Sequence, residues 1–326
     1  TMTATASAGA TTAPDLTGVA VVVVNYGASA LLSAHLPGLA AAGPTVVVVD
    51  NHFGTDERRR VRELAAQHGW KLVEQPNLGF GAGVDAGRAA AEGCDVVVTV
   101  NPDAQADPAV LAALATHCRS APRALVSPRV VLPDGADWFR GAQLDRRRGF
   151  TRSAPPAPGS DAMPWLSGAC LAATASFWRE LGGFDDAYFL YWEDIDLSAR
   201  CLAAGGEVVV REDLTVVHAV GGTQSGSKSG TASGTVAGAG KSPLYCYQNC
   251  RNRLLFAARH LGARDALRWV VLAPRYAERV VRRGRGRREL LGRPDIVWAA
   301  ARGTAAGIAL VLRALSPRPA KAVDGP

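Results

Sequence analysis

The sequence of 326 residues lacks several features that would assign it to common protein classes. Its six cysteines form no CxxC pair, which excludes zinc fingers and thioredoxin-like motifs and favours free thiols in a reducing cytoplasm. No uninterrupted apolar run reaches the roughly 18 residues that span a bilayer, and the best candidate, 296–315, contains Arg302. The N-terminus has neither the basic nor the apolar region of a signal peptide, so we expect a cytoplasmic protein. We expect residues 1–15 to form a disordered tail.

Charge is also scarce and unevenly distributed. Only 20% of the residues are charged and 48% are hydrophobic, so the chain can bury a large core. Residues 251–326 have 17 basic and 5 acidic side chains, whereas residues 1–250 have 19 basic and 24 acidic ones. This asymmetry argues against a nucleic-acid partner. It predicts a mildly acidic catalytic domain over 16–250 and a basic, amphipathic helical region over 251–326 that binds peripherally to the inner face of the cell membrane.

Valine-rich runs alternate with helical patterns through the first half of the chain. The alternation predicts an α/β fold with a parallel sheet covered by helices on both faces. Ligands of such sheets bind at the carboxyl ends of the strands. Three of the predicted strands end at the turns 25–26, 50–51 and 101–103, and we expect the site there.

The middle of the chain is less regular. We expect a proline-rich loop over 154–161, a strand over 165–173, and two further strands over 207–211 and 214–218. Residues 221–240 are rich in Gly, Ser, Thr and Ala and cannot bury enough apolar surface to order themselves. We expect them to form a mobile loop that closes over a ligand.

Asp50 follows the second predicted strand directly. A carboxylate at this place can accept a hydrogen bond from a pyrimidine N–H or from a ribose hydroxyl. Asp and Asn are also common helix caps and turn residues, so a structural role is the alternative.

Residues 77–86 contain a match to the dinucleotide fingerprint G-x-G-x-x-G/A. The match follows a third, short strand rather than the first strand of a βαβ unit, so we do not interpret it as a nicotinamide-cofactor site. The glycines of this segment can still have a role in ligand binding. Glycines allow backbone N–H groups and a helix N-terminus to approach a phosphate or a ribose closely.

Asp103 follows a buried valine-rich strand and is stiffened by Pro102. A carboxylate there can hold a divalent cation, Mg²⁺ or Mn²⁺, against a diphosphate. A solvated Asp in an Asn-Pro turn is the alternative. His218 ends a later predicted strand, where a lone histidine is usually structural. A metal-binding role for His218 requires Asp103 as its partner.

Three acids, Glu193, Asp194 and Asp196, follow a run rich in aromatic residues at the start of a predicted helix. Acids at a helix start stabilise the helix without any chemistry. Bulky apolar neighbours, however, raise the pKa of a carboxyl group, which suits a general base. Glu193 and Asp196 are i,i+3 neighbours and Asp194 points elsewhere, so one acid can be singled out from the pair.

In their order and spacing, these motifs resemble the inverting glycosyltransferases of family 2, which have the GT-A fold. The resemblance covers roughly 16–256 and rests on the following segments: Val-Val-Val-Asn-Tyr (22–26), Val-Asp-Asn (49–51), Asn-Leu-Gly-Phe-Gly (77–81), Asn-Pro-Asp (101–103), Trp-Leu-Ser-Gly-Ala (165–169), Gly-Gly-Phe-Asp (182–185) and Tyr-Trp-Glu-Asp-Ile-Asp-Leu (191–197).

The resemblance implies a role for each matched residue. Asp194 would be the catalytic base, and Asp103 with His218 would hold the divalent cation. Trp192, Glu193 and Arg251 would lie on the acceptor side. The donor would contact the remaining group: Asn25, Tyr26, Asp50, Asn77, Gly79, Phe80, Gly81, Asn101, Gly168 and Ala169.

Two departures from the family pattern concern charge. The Asp-x-Asp metal motif is reduced to Asn101-x-Asp103, which leaves one fewer carboxylate for a cation. Asp85 stands where relatives often have Asn, which would bring a negative charge near the expected diphosphate. The Gln-x-x-Arg-Trp motif of processive synthases is absent, so we expect the transfer of one sugar per acceptor.

Within the family, the sequence is similar to actinobacterial rhamnosyltransferases that act on N-acetylglucosaminyl-diphospho-polyprenol. This similarity implies dTDP-rhamnose as donor and a polyprenyl-diphosphate-linked acceptor. Galactofuranosyl or other hexosyl transfer from a UDP-sugar is the alternative, and a homo-oligomer is an open possibility.

Two other classes compete with a glycosyltransferase. A sugar-1-phosphate nucleotidylyltransferase needs a basic, glycine-rich loop after the first strand, and residues 25–29 contain no basic residue. A non-catalytic nucleotide-sugar-binding membrane protein would not need the acids at Asp103 and Asp194.

Overall fold

The computed structural model describes residues 14–219, 242–283, 290 and 292–316. The expected mobile loop over 221–240, and all but the last two residues of the expected tail over 1–15, lie outside these ranges. The strands are β1 (Val19–Asn25), β2 (Thr45–Asp50), β3 (Lys71–Glu74), β4 (Val96–Val100), β5 (Ala104–Gln105), β6 (Ala124–Val131), β7 (Asp137–Phe139), β8 (Ala142–Asp145), β9 (Phe150–Arg152), β10 (Met163–Trp165), β11 (Cys170–Thr174) and β12 (Glu207–His218). The helices are α1 (Ser29–Ala40), α2 (Thr55–His68), α3 (Phe80–Ala90), α4 (Pro108–Ser120), α5 (Ala175–Glu180), α6 (Glu193–Ala203), α7 (Pro243–His260), α8 (Ala263–Val271), α9 (Ala273–Arg282) and α10 (Pro294–Leu315).

The main sheet has the strand order β3-β2-β1-β4-β11-β6-β12-β5, with β7 paired to β6. Strands β3, β2, β1 and β4 are parallel, as the valine-rich pattern predicts. Strand β11 is antiparallel to both β4 and β6, so the sheet as a whole is mixed. A small antiparallel sheet, β10-β8-β9, lies apart from it. The parallel half therefore brings the ends of β1, β2 and β4 to one edge, where ligands of such sheets bind.

Apolar side chains from both faces of the sheet are buried under helices. Leu32 of α1 and Leu111 of α4 cover one face, and Val84 of α3 covers the other. Helix α3 approaches the sheet closely because a Cβ atom at Gly83 would lie only 2.8 Å from a methyl group of Val24. The expected arrangement of a sheet covered on both faces is confirmed.

Three predictions of strand boundaries were wrong in detail. The predicted strand 165–173 is interrupted between β10 and β11, because the Thr99 hydroxyl donates to the carbonyl of Gly168 at 3.0 Å and fixes a turn there. The predicted strands 207–211 and 214–218 are one strand, β12, with a register shift between Arg211 and Thr215. The hairpin of β8 and β9 was not predicted.

The C-terminal helices are continuous with the α/β body. Helix α7 spans the boundary that the charge count placed between residues 250 and 251. Helix α10 packs on α7 through two glycines. A Cβ at Gly303 would collide with the carbonyl of Tyr247, and one at Gly307 would lie 2.7 Å from Leu254. By length and composition α10 could cross a membrane, and 28% of its most apolar stretch is buried.

Arg253 of α7 is fully buried and fixes the turn between β8 and β9. Its guanidinium donates to the carbonyls of Arg148 at 2.8 Å and Gly149 at 2.9 Å. The indole N–H of Trp269 donates to the carbonyl of Arg146 at 2.9 Å. Burial lowers the pKa of Arg253 to about 10. The exposed side chains of residues 146–148, all arginine, are therefore presented on a rigid turn.

Candidate active site

The carboxyl ends of β1 and β2 meet in a buried polar network. The side-chain amide of Asn25 donates to Asp50 Oδ1 and Glu57 Oε1, both at 3.3 Å, and its Oδ1 accepts from the backbone N–H of Ala28 at 3.0 Å. Glu57 also accepts from the hydroxyl of Ser29 at 2.7 Å. Asn25, expected to contact the donor, is fully buried and has its partners within the protein. It links the ends of β1 and β2 to the start of α1 and to α2.

Asp50 is also fully buried, and both of its carboxylate oxygens have partners. The Nε of Arg58 lies 2.5 Å from Asp50 Oδ2, and Nη2 of Arg58 donates to the carbonyl of Gln75 at 2.8 Å. The expected contact of Asp50 with a base or ribose stays a prediction, and Arg58 lies between this carboxylate and the surface. Arg58, which the sequence pattern did not single out, is partly exposed and is the member of the pair that reaches the surface.

Two exposed aromatic side chains stand beside this network. The rings of Tyr26 and Phe53 follow β1 and β2, lie 5.1 Å apart and meet edge to face. Gly27 has φ 75°, and a Cβ there would approach the Phe53 ring to 3.0 Å. Only glycine allows this close approach. The pair offers exposed aromatic surface at the edge where a ligand would arrive.

The loop before α3 is fixed by backbone contacts. Asn77 Oδ1 accepts from the N–H of Gly79 at 3.1 Å, and the Asn51 side chain donates to the Gly79 carbonyl at 2.9 Å. The N–H of Phe80 donates to the carbonyl of Phe189 at 3.1 Å. Gly79 has φ 104°, and a Cβ there would collide with Phe189. The loop is thus attached to the aromatic segment that precedes α6.

Phe80 and Gly81 form the packing behind this loop. The Phe80 ring fills the space above Gly168, where a Cβ would lie 2.9 Å from the ring. Gly81 packs against Phe184, which a Cβ would approach to 2.6 Å. Their role in the structure is to bring α3 and the 167–169 segment together.

Asp85 has a structural explanation. Its carboxylate accepts from the indole N–H of Trp178 at 2.9 Å and from the backbone N–H of Phe184 at 2.7 Å. Burial raises the pKa of Asp85, and these two hydrogen bonds oppose the increase. The side chain therefore links α3 to α5 and to the turn that follows α5. Both carboxylate oxygens of Asp85 are engaged in these contacts.

Asp194 lies in the first turn of α6 against the turn between β10 and β11. Its Oδ1 accepts from the N–H of Ile195 at 2.8 Å, and its Oδ2 accepts from the N–H of Gly168 at 3.4 Å. Burial raises the pKa of Asp194 to about 6. Next to Gly168, the carbonyl of Ala169 accepts from the N–H of Asn101, which follows β4, at 2.9 Å. The structure thus brings together Asp194, Gly168, Ala169 and Asn101.

The two residues before α6 have unusual backbone angles. Tyr191 has φ 68° and Trp192 has φ 76°, which is uncommon for residues other than glycine. The side-chain amide of Asn252 in α7 donates to the carbonyls of Leu190 at 3.0 Å and Tyr191 at 2.8 Å. Such strain persists only where the surroundings impose it, and it is concentrated at functional sites. Nothing in the sequence around Asn252 indicated this role.

Arg251, expected on the acceptor side, is half-buried and lies beside Asn252. Its Nη1 donates to the carbonyl of Ala187 at 2.9 Å and to Asn252 Oδ1 at 2.6 Å. Arg251 therefore supports the same segment as Asn252.

Trp192 and Glu193, expected on the acceptor side, are both buried in this structure. Trp192 is buried among Phe256, Trp269 and Tyr276, and its indole N–H donates to the Tyr276 hydroxyl at 3.3 Å. Glu193 is buried, and its Oε2 has no hydrogen-bond partner among the described residues. Burial raises the pKa of Glu193 well above its ordinary value. The sequence pattern missed this because it does not show on which side of the helix the core lies.

Asp196 faces the opposite way from Asp194 and joins α6 to α7. It pairs with Arg200 Nε at 2.8 Å and with His260 Nε2 at 2.6 Å. Burial tends to raise the pKa of Asp196, but the hydrogen bonds and charges of these two partners lower it on balance. The three acids of this cluster thus have three different environments.

Asp103 and His218 meet as a buried pair. Asp103 Oδ1 lies 2.9 Å from His218 Nε2, and the ring of Trp138 meets the His218 ring edge to face at 4.5 Å. Among the described residues, His218 Nδ1 has no hydrogen-bond partner. Carboxylate and imidazole are ligands that Mg²⁺ or Mn²⁺ accepts, so the pair fits a cation as two protein ligands. Within the described ranges, no group of three or more His, Cys, Asp or Glu side chains could hold one.

The sequence profile of the family described as Glycosyltransferase like family 2 matches residues 14–232, which is more than half of the chain. The chain belongs to this family and is a glycosyltransferase. It is similar to the N-acetylglucosaminyl-diphospho-decaprenol L-rhamnosyltransferase of Mycobacterium tuberculosis, strains CDC 1551 / Oshkosh and ATCC 25618 / H37Rv. Each of these relatives is 29% identical over 231 residues, which cover 61% of this chain and 75% of the relative.

Among solved structures, the chain is similar to GalNAc-T7 with UDP, GalNAc and Mn²⁺, with a TM-score of 0.52 and 16% identity. The similarity covers 62% of this chain and 43% of that one, so the chain spans less than half of that protein's length. This likeness shows the GT-A fold alone. S. aureus TarS 1-349 in complex with UDP is also similar, with a TM-score of 0.48, 14% identity and 90% of each chain covered.

Proposed function

We propose that this glycosyltransferase transfers a single L-rhamnose from dTDP-rhamnose to an N-acetylglucosaminyl-diphospho-polyprenol acceptor at the inner face of the cell membrane. The mycobacterial relatives are named for this sugar and this type of acceptor. The reaction is a single displacement with inversion at the anomeric carbon.

The environment of Asp194 is the observation on which the proposal depends. The carboxylate is half-buried at the N-terminus of α6, next to the backbone N–H of Gly168, and its pKa is raised to about 6. A base with a pKa near the working pH is ionised and can still accept a proton effectively. Asp194 takes the proton of the acceptor hydroxyl while that oxygen forms the bond to the anomeric carbon. The bond from this carbon to the donor diphosphate breaks, and the pair of electrons leaves with the diphosphate.

Asp103 and His218 would hold a divalent cation. When bound, the cation supplies positive charge that offsets the charge developing on the leaving diphosphate. The departure to Asn101 leaves Asp103 as the carboxylate of the motif, so His218 supplies the second protein ligand in this proposal. A real imidazole ligand would favour Mn²⁺ over Mg²⁺.

The donor nucleotide has a matching surface at the ends of β1 and β2. The exposed rings of Tyr26 and Phe53 suit stacking with a pyrimidine base. Arg58 is held by Asp50, and no partner of its Nη1 group is found among the described residues, so Arg58 can donate hydrogen bonds to base or ribose oxygens. The loop over 77–80 and the N-terminus of α3 suit the diphosphate.

Membrane association has support in charge and exposed apolar surface. The turn over 146–148 presents three arginines, and the adjacent α8 exposes Leu267 and Val271. Arginines attract anionic lipid headgroups, and exposed apolar side chains can enter the interface. Together with the basic region 251–326, these features favour peripheral binding to an anionic membrane surface.

A panel of nucleotide sugars tests the donor. We expect dTDP-rhamnose, with Mn²⁺ or Mg²⁺ present, to raise the melting temperature more than dTDP-glucose, UDP-glucose or UDP-galactofuranose. Product analysis with GlcNAc-diphospho-prenol acceptors should then find one added rhamnose. Transfer of galactofuranose or another hexose, with no transfer of rhamnose, would contradict the proposed donor.

A further inference from the structure

A groove between α7 and α10 lies outside the site described above. Its volume is about 290 Å³. Its lining consists of Pro243, Leu244 and Tyr247 from α7, with Ala299 and Arg302 from α10. The walls are therefore apolar or aromatic except for one cation. Such a composition suits a ligand with an apolar body and one anionic group.

The guanidinium of Arg302, the one charged group in the groove lining, has no carboxylate partner among the described residues. The guanidinium carbon of Arg302 lies 5.8 Å from the centroid of the Tyr247 ring. The groove walls are fixed in place because Gly303 and Gly307 allow α10 to pack closely on α7. Arg302 is therefore placed in the groove with its charge available to an anion.

The groove shares a face of α7 with Arg251, which contacts the segment that leads into α6. Leu244, Tyr247 and Arg251 are spaced i, i+3 and i+7, so they lie along one side of the helix. Arg251 donates to the carbonyl of Ala187, in the segment that leads into α6. A ligand lying along this side of α7 would extend from the groove towards the segment that leads into α6.

Exposed apolar surface on both helices indicates a lipid environment. Leu244 is 46% exposed, and Trp298, adjacent to the groove residue Ala299, is 66% exposed. Helix α10 is long and apolar enough to cross a membrane. Large exposed apolar side chains around a groove mark a binding surface, and tryptophan favours the membrane interface.

We propose that this groove binds the isoprenoid chain of the acceptor next to its diphosphate, with Arg302 pairing with the diphosphate. The inference rests on the proposed function, because it assigns the binding site of the polyprenyl acceptor. Apolar contact with Leu244 and Tyr247 would give affinity for the chain. Arg302 would place the diphosphate, and thereby the sugar, relative to Asp194.

Direct binding tests the groove without turnover. The full chain is titrated calorimetrically with geranylgeranyl diphosphate and with the uncharged geranylgeraniol. We expect Leu244→Glu to weaken binding of both ligands by about tenfold or more, because a carboxylate is poorly solvated against an isoprenoid. Arg302→Gln should weaken binding of the diphosphate by about tenfold and leave the affinity for the alcohol unchanged. Leu312→Glu, at a position 53% exposed near the end of α10 and outside the groove lining, is the control and should change neither affinity.

Several results would overturn the groove assignment. Wild-type protein that does not bind geranylgeranyl diphosphate, or Leu244→Glu with wild-type affinity, would each do so. Equal competition by phosphatidylglycerol would show a general lipid surface instead. Donor binding, measured by thermal stabilisation with nucleotide sugar, should be unchanged in both groove variants. If nucleotide sugars did not stabilise the wild-type protein, the proposed function would be contradicted. The isoprenoid titration would still test the groove independently.

Discussion

The backbone N–H of Gly168 points to the carboxylate of Asp194, with 3.4 Å between the nitrogen and Oδ2. The contact joins the first turn of α6 to the turn between β10 and β11. It opposes the increase that burial causes in the pKa of Asp194, and the resulting value is about 6. Near neutral pH, Asp194 is therefore ionised and is still basic enough to accept a proton.

Removing the basicity of Asp194 is the most direct test of its role. Asp194→Asn keeps the shape of the side chain, and we expect turnover to fall by about 10²–10⁴-fold, the usual contribution of a positioned base. Donor affinity should change little. Asp196→Asn is the matched control, because Asp196 pairs with Arg200 and His260 and its amide should lower stability more than rate. A correctly folded Asp194→Asn enzyme with wild-type turnover would exclude Asp194 as the base.

The pH dependence of turnover provides a second, independent test. The folded enzyme needs Asp194 without its proton, so activity is present above its pKa and is lost as the pH falls through about 6. We expect the acid limb of kcat to fall about tenfold per pH unit below that point. The measurement is kcat at saturating substrates from pH 4.5 to 8. An acid limb centred near the ordinary pKa of aspartate, about 3.9, would contradict the raised value.

Patterns that repeat along the chain made much of the fold predictable. The buried valines of β1, β2 and β4 predicted the parallel half of the sheet, and this part is confirmed. The aromatic run before 193–196 indicated a buried environment for the acids. Burial does raise the pKa of Asp194. This effect was predictable because it depends more on the composition of the surroundings than on precise geometry.

Pairings between distant residues could not be predicted in the same way. Asp50 is separated by eight positions from Arg58 and is neutralised by it, and Asn252 supports Tyr191 from another helix. Each contact depends on how two elements pack, which local spacing does not encode. The resemblance to the family implied an acceptor-side role for Trp192. Helix packing instead placed it in the core.

Metal dependence would follow from the pairing of Asp103 with His218. We expect EDTA to abolish transfer, and Mn²⁺ or Mg²⁺ to restore it. Asp103→Asn should raise the cation concentration needed for half-maximal activity by at least about tenfold, because it replaces a charged oxygen ligand. His35→Gln is a suitable control, since His35 contacts the carbonyl of Pro102 but not the pair. Full activity in chelator would contradict the assignment.

The arginine turn should contribute to membrane binding. Each basic residue at an anionic surface contributes about 1 kcal/mol, so the double variant Arg146→Gln/Arg147→Gln should weaken vesicle binding on the order of 30-fold. Flotation with phosphatidylglycerol vesicles measures the effect, and it should shrink at high salt. Arg59→Gln/Arg60→Gln on α2 removes the same charge elsewhere and should have little effect. Equal losses in the two double variants would show dependence on net charge rather than on this turn.

Glu193 gives a prediction about stability rather than rate. Burial raises its pKa well above the ordinary value, so the folded protein holds a proton there that the unfolded chain releases. A raised folded pKa contributes stability below the unfolded value of about 4.3, and this contribution is lost as the pH rises towards the folded pKa. Glu193→Gln resembles the protonated form and removes this dependence. We therefore expect the unfolding free energy of the variant, relative to that of the wild type, to increase as the pH rises from 5 to 8. Urea unfolding at several pH values measures the difference, and a constant difference over this range would show that Glu193 has an ordinary pKa.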